Sequence, residues 1–399
     1  MFPQAAGQRL GGMTMTGVSP ATRARWLAVS AVAVGTFTIV TSEMLPVGLL
    51  TSIAATLGVS DGTAGLMMSA PGLIAAVSAP VLAVTTRRLD RRAVLIGLMA
   101  LLTAANLVCA SAPSYPVILA GRVLTGVSIG GFWAFAAGLA TRLVPERSVG
   151  RATSIILAGV SVASVLGVPA ATFISSFAGW RSAFAAMGVV ALALIAVLYA
   201  TLPPLPGETS ARTSGTRQGW LSGPLRTVLV MTVLIVSGHF AAYTYVRPFL
   251  EQVSHADPAL VSTVLLVYGA AGVAGNFAAG AWAARNPKPV LIILATLMAL
   301  ATAALPAIGL PLALLVVWGA GYGGVGVTLQ LWIMRAGGDE LGTALFVSAF
   351  NVSIALGAFA GGRVVDGFSI SATMWLGAGL AVLTAAVAGI WGRSRTTGS

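Results

Sequence analysis

The chain has 399 residues, 57% of them hydrophobic and only 8% charged, with a formal net charge of +12. A soluble domain carries about a quarter of its residues as charges, so this composition excludes a water-soluble protein and indicates one that crosses a membrane many times. The positive excess does not indicate nucleic acid, because the arginines and lysines fall in short gaps between apolar runs rather than in one patch.

In chain order, residues 1–25 are polar and glycine-rich and carry Arg9, Arg23 and Arg25. The apolar run that follows exceeds a signal-peptide core of roughly 7–15 residues. We therefore expect a cytoplasmic tail followed by a first membrane helix. A spanning helix needs roughly 20 mainly apolar residues. Cutting the chain at charges and turn residues predicts twelve spans, over 26–50, 63–86, 93–111, 116–142, 151–175, 182–202, 225–250, 259–284, 288–307, 310–335, 342–364 and 370–392. The least marked turn lies between the ninth and tenth, at Pro306, Gly309 and Pro311.

The longest polar stretch between spans, PPLPGETSARTSGTRQGWLSGP (203–224), has the composition of a flexible cytoplasmic linker. It divides the membrane region into six-helix bundles over 26–202 and 225–392, with a short tail at 393–399. ERSVGRATSIILAGVSVASVLG (146–167) and DELGTALFVSAFNVSIALG (339–357) run in parallel at equivalent places. Such parallel repeats belong to one large transporter architecture. With the amino terminus inside, the inner segments collect most of the basic residues, including RRLDRR (87–92), while the outer side holds Arg181 and, at helix ends, Arg247 and Arg363. That asymmetry places both termini in the cytoplasm.

Other chemistries find little support. Cys109 is the single cysteine, and it shows no metal-ligand spacing with His239 or His255. There is no GxxxxGK[ST] phosphate loop, so no internal ATP motor, and no paired acids or nucleophile triad within the spans. No ring of charges suggests a channel. The chain is not expected to be an enzyme, needs no cofactor, and is expected to act as a monomer on a small-molecule substrate.

Several stretches resemble the major facilitator superfamily, within its twelve-helix drug–proton antiporter branch. TSEMLPVGLLTSIAATLGVS (41–60) is similar to the first helix and outer loop of bacterial arabinose and purine-ribonucleoside efflux permeases. GRVLTGVSIGGFWAF (121–135) resembles the branch's fourth-helix motif, and LAGVSVASVLGVPAATF (157–173) its fifth-helix antiporter motif, with Gly167 and Pro169 in place. GHFAAYTYVRPFLE (238–251) resembles the seventh helix of the ribonucleoside exporters. The resemblance implies two six-helix bundles related by a pseudo-two-fold axis, a bacterial inner-membrane location, and export of a nucleoside, sugar or drug-like solute by proton antiport. A proton-independent facilitator or importer of the same fold is the alternative. One motif departs from the family. The loop AVTTRRLDRR (83–92) keeps Arg88, Arg91 and Arg92 but has Arg87 where the family has an aspartate and Asp90 where it has a glycine.

Glu43 is the one clear acid inside a span. A charged acid at a helix centre costs about 2.5–3.5 kcal/mol on insertion scales. It is either protonated and released in turn, which makes a proton-coupled carrier, or paired permanently for stability. Its expected partner is Arg122. By a rise of about 1.5 Å per residue, the two lie at depths that agree within a few ångströms, and the resemblance packs spans one and four together. Arg122 alternatively bonds only main-chain carbonyls. His239 and Tyr243 share a helix face, and Trp133 lies on the face of Arg122. Aromatic faces suit planar ligands. His239 either titrates near neutral pH or donates one hydrogen bond. Gln330 and Asn351 are read equally as substrate contacts or as helix glue.

Gly126 and Gly130 read as close-packing positions, and Gly167 with Pro169 as a bend. Arg247 with Glu251, and Arg363 with Asp366, read as local ion pairs. With the family's loop acid displaced, Arg88 or Arg91 is expected to meet Asp339 or Glu340 across the two bundles.

Overall fold

A computed structural model describes residues 20–207, 223–308, 310–336 and 340–392, with the side chains of 20–24, 137, 340 and 341 excepted. The proposed linker and both tails fall largely outside it. Among the described residues, twelve helices are long and apolar enough to cross a membrane. They are span 1 (Arg25–Leu57), span 2 (Asp61–Thr85), span 3 (Arg91–Ser111), span 4 (Tyr115–Ala136), span 5 (Glu146–Ala178) and span 6 (Trp180–Thr201). The second six are span 7 (Gly223–Gln252), span 8 (Pro258–Ala283), span 9 (Pro287–Ile308), span 10 (Pro311–Arg335), span 11 (Gly342–Gly367) and span 12 (Ile370–Trp391). Large apolar side chains such as Val77, Phe173, Phe277, Leu300 and Ile390 stand exposed on the bundle surface, as lipid contact requires.

Short polar residues start several helices by accepting an otherwise unpaired amide. The Ser60 hydroxyl accepts from Thr63 N at 3.0 Å, and the Asp257 carboxylate from Leu260 N at 2.7 Å. Asp90 accepts from Arg92 N at 2.8 Å and from Leu205 N at 3.0 Å. It therefore starts span 3 and anchors the chain leaving span 6.

Among the described residues four spans are interrupted, each near a proline or glycine, span 2 at Gly65 and spans 5, 7 and 10 further along the chain. In span 5 a π turn covers Ala163–Gly167, directly before the helix that resumes at Val168. Pro169 cannot donate to the carbonyl four residues back, and its ring collides with it. The extra residue in a π turn relieves that collision. Span 7 breaks at Thr244 and Tyr245, just ahead of Pro248, and span 10 breaks at Gly324.

Helix packing repeats with a shift of six. Span 1 packs on spans 5 and 6, span 2 on span 4, and span 3 on spans 4 and 6. Likewise span 7 packs on spans 11 and 12, span 8 on span 10, and span 9 on spans 10 and 12. Span 2 meets span 11, span 5 meets span 8, and span 1 meets the Val246–Gln252 segment of span 7. A shift of six exchanges the first two of these contacts and maps the third onto itself, which is the signature of a two-fold relation between the sets.

Candidate functional site

The site is built on two prolines. Pro46 lies inside the helix of span 1 and Pro71 inside that of span 2. Neither has an N–H, so the carbonyls four residues earlier, on Ser42 and Met67, lose their helical donor. A buried carbonyl left unpaired is costly. Arg122, fully buried on span 4, supplies both. Its Nη1 donates to Ser42 O at 2.7 Å and its Nε to Met67 O at 2.8 Å. Its Nη2 donates to Glu43 O at 2.7 Å. One guanidinium thus staples spans 1, 2 and 4 through three main-chain oxygens.

Among the described hydrogen bonds Arg122 therefore bonds main-chain carbonyls alone, and it meets Glu43 only through that residue's backbone oxygen. Among the described residues the one ion pair is Arg247–Glu251, and no described hydrogen bond ends on the Glu43 carboxylate. Glu43 is 6% exposed. Its carboxyl is within electrostatic range of both the Arg122 guanidinium and the Tyr322 hydroxyl on span 10. Met44 and Val47 beside it pack into the core of the second six spans. The acid accordingly sits where the two halves face each other.

Across from it is an aromatic group. His239 on span 7 lies flat against Tyr322, with ring centroids 3.3 Å apart and planes 5° apart. Tyr243 stacks on His239 at 4.9 Å and on Tyr268 of span 8 at 4.8 Å. Trp318 of span 10 meets His239 edge-on at 5.5 Å. The Tyr268 hydroxyl is 3.5 Å from His239 Nε2. His239 Nδ1 and Trp318 Nε1 are buried and lack a described protein partner. The group offers flat faces and two polar ring atoms.

The other residues singled out by sequence are dispersed. Trp133 meets Phe132 edge-on and packs into the core of the first six spans, apart from the His239 group. Asn351 Nδ2 donates to Val347 O of its own helix at 2.9 Å. Gln330 is half-buried, without a described hydrogen bond. Gly126 lies so close to span 2 that an added Cβ would come 2.7 Å from Pro71 O. A Cβ on Gly130 would come 2.7 Å from Ala75 O. A Cβ on Gly167 would press on Thr41 of span 1 at 2.9 Å.

At the end of the helices carrying the 58–60 turn, the halves are joined. Asp366 of span 11 accepts from Ser60 Oγ at 2.8 Å and from Gly62 N at 3.1 Å. Gln252 Nε2 donates to Asp61 at 3.0 Å, and Arg247 donates to Gly48 O. Tyr245, fully buried in the break of span 7, donates to Ala358 O at 2.7 Å and fills the space left by Gly65 and Gly362. Asp366 thus turns to the other half and not to Arg363, because Ser60 and the first turn of span 2 offer it donors.

At the opposite end, Arg88 is exposed, while Arg91 lies over the Phe135 ring at 4.4 Å and donates to Thr86 O at 3.3 Å. Asp339 and the side chain of Glu340 lie outside the described residues, so the expected contact with Arg88 or Arg91 does too.

The family model described as Major Facilitator Superfamily matches residues 32–347. The chain belongs to the Major Facilitator Superfamily. It is 34% identical over 392 residues to a Pseudomonas aeruginosa protein named transcription regulatory protein OpdE, covering 94% of this chain and 96% of that one. It is 33% identical over 376 residues to the purine ribonucleoside efflux pump NepI of Salmonella paratyphi C, covering 92% and 94% respectively. Its fold matches a bacterial homologue of the human lysosomal transporter Spinster in an inward-facing, occupied conformation, at a TM-score of 0.76 and 15% identity, covering 95% of this chain and 98% of that one. The chain is thus a multi-pass membrane transporter of the superfamily and not an enzyme.

In this superfamily member, sequence reasoning found His239 and Tyr243 but passed over Tyr268, Trp318, Tyr322 and Tyr245. A signal existed for two of them. Trp318 and Tyr322 are four apart in WGAGYGG (318–324), so they share a helix face, and the small residues around them let that face approach a neighbour.

Proposed function

We propose that this transporter exports a small, flat organic solute of the purine nucleoside class in exchange for protons, and that Glu43 carries the proton. The observation behind this is the buried Glu43 carboxyl, without a described hydrogen-bond partner, within electrostatic range of Arg122 and of Tyr322, on which His239 stacks. A permanently charged carboxylate there is expensive. One that is neutral in part of the cycle and ionised in the rest avoids that cost and moves a proton with each cycle. No cofactor is required, because the proton gradient supplies the energy.

The distribution of arginines supports a cytoplasmic position for both termini. In that orientation the end joined by Asp366, Asp61 and Gly48 faces outward, and the carrier loads from the cytoplasm. The stack of His239, Tyr243 and Tyr322 suits a planar base that takes the place of one of its own ring contacts. His239 Nδ1 and Trp318 Nε1 suit its polar edge. The relative named as a purine ribonucleoside efflux pump supports the same class.

The test is accumulation of labelled inosine, arabinose and a cationic dye in everted membrane vesicles energised by respiration. The reading expects inosine to accumulate and a protonophore to abolish it. Accumulation that survives the protonophore would favour the proton-independent facilitator, and transport of the dye alone would remove the nucleoside assignment.

A further inference from the structure

We infer that Pro46 and Pro71 set the proton affinity of Glu43 by keeping the Arg122 guanidinium engaged with main-chain carbonyls and away from the carboxylate. This rests on Glu43 being the proton carrier. It assigns the tuning of that carrier to two residues that have no titratable group of their own.

The geometry is specific. Arg122 reaches spans 1 and 2 through the carbonyls of Ser42 and Met67, each four residues before a proline. In a helix without those prolines both carbonyls would be taken by the amides of residues 46 and 71. Two of the guanidinium's three described acceptors therefore exist because of the prolines. The third, Glu43 O, holds the guanidinium beside the acid while its donors point to the backbone. Such an arrangement gives Glu43 a neighbouring positive charge without a bidentate pair that would hold it ionised throughout the cycle. A carrier that must bind and release its proton needs that intermediate state.

The groups able to compete for the Glu43 carboxyl are few. Span 4 presents Arg122 and, beyond it, Tyr115, which donates to Thr63 O at 2.5 Å. Span 3 presents Cys109, whose thiol faces Ile118 O. Span 10 presents Tyr322, and span 7 presents His239 and Tyr243 within the aromatic stack. Arg151 and Arg181 on the neighbouring spans 5 and 6 sit near helix ends, as does Asp61 of span 2, while Arg247 of span 7 reaches Gly48 O on span 1 but is held by Glu251. Among the described residues, Arg122 is thus the permanent cation positioned to pair with Glu43 if its carbonyl partners are removed.

The substitutions that test this add helical hydrogen bonds instead of deleting them. In Pro46→Ala the new amide takes Ser42 O, and in Pro71→Ala it takes Met67 O. Each releases one arm of Arg122 toward the carboxylate. An opposite charge in direct contact favours the ionised carboxylate by about one to three pH units. The readout is labelling of Glu43 by a hydrophobic carbodiimide, which reacts with the protonated carboxyl, followed by mass spectrometry across a pH series on the purified full-length protein.

The expected result is that the labelling midpoint moves to more acidic pH by about one unit in either variant, and further in the double variant. Size-exclusion profiles check that each variant is folded, and the two single variants serve as independent tests. A midpoint unchanged in both folded variants would overturn the inference, as would a shift to alkaline pH. A wild-type Glu43 that is never labelled would overturn it too, since Arg122 would then already hold the acid ionised. Labelling reads protonation without transport. If Glu43→Gln transports normally while the labelling midpoint still shifts, the proposed function fails and the tuning by proline stands.

Discussion

The Asp366 carboxylate accepts a hydrogen bond from the main-chain amide of Gly62 at 3.1 Å, across the boundary between the two halves. It accepts a second from the Ser60 hydroxyl at 2.8 Å. A carboxylate at the first turn of span 2 also meets the positive end of that helix. Asp366 is exposed, so the contact is worth about 1 kcal/mol, or roughly a fivefold bias toward the closed state at that end. Asp366→Ala should therefore raise severalfold the labelling rate, by a water-soluble maleimide, of a cysteine placed at Ala64, which is fully buried at this end. An unchanged rate would show that Tyr245 and the glycine contacts close this end without it.

Arg122 should matter for stability as much as for transport. Replacing it with alanine leaves the buried carbonyls of Ser42 and Met67 unpaired, at about 1–3 kcal/mol each. Lysine keeps the charge but cannot reach three acceptors in a planar fork. Both Arg122→Ala and Arg122→Lys should lower the melting temperature of the purified protein, alanine more. A lysine variant that melts like the wild type would mean that the staple is not structural.

The aromatic group should govern affinity. Tyr322→Ala removes the face on which His239 lies and should raise KM for a planar substrate about tenfold, a loss of about 1.4 kcal/mol. Tyr322→Phe keeps the face and should behave almost as wild type. His239→Phe keeps the ring but removes both nitrogens, and should raise KM for a substrate with a polar edge. Equal effects of all three on transport would argue for packing alone.

Most of the fold was legible because hydropathy reports span number directly. Among the described residues the twelve apolar runs became twelve spans, with ends shifted by a few residues. The breaks at Thr244–Tyr245 and Gly324 were not legible, because an interruption of one or two residues leaves the hydropathy of the run unchanged. Depth along a helix placed Arg122 beside Glu43, and the two are indeed neighbours. Depth does not say which atoms bond. That answer was written in Pro46 and Pro71, since an apolar helix with an internal proline has a spare carbonyl that a buried arginine can take. Trp133 shows the limit of face arguments. It shares a face with Arg122 over three turns, yet it packs into the core of the first six spans.

Glu43 is the centre of the account, and Glu43→Gln in reconstituted proteoliposomes tests it most directly. The measurement is counterflow-free efflux of labelled purine nucleoside under an imposed pH gradient. For the wild type, the account predicts efflux that rises as the trans side is acidified and stops when nigericin collapses the gradient. For Glu43→Gln, folded by size exclusion, it predicts transport that no longer responds to the gradient. Gradient-driven transport at the wild-type rate in Glu43→Gln would contradict the assignment of Glu43 as the proton carrier.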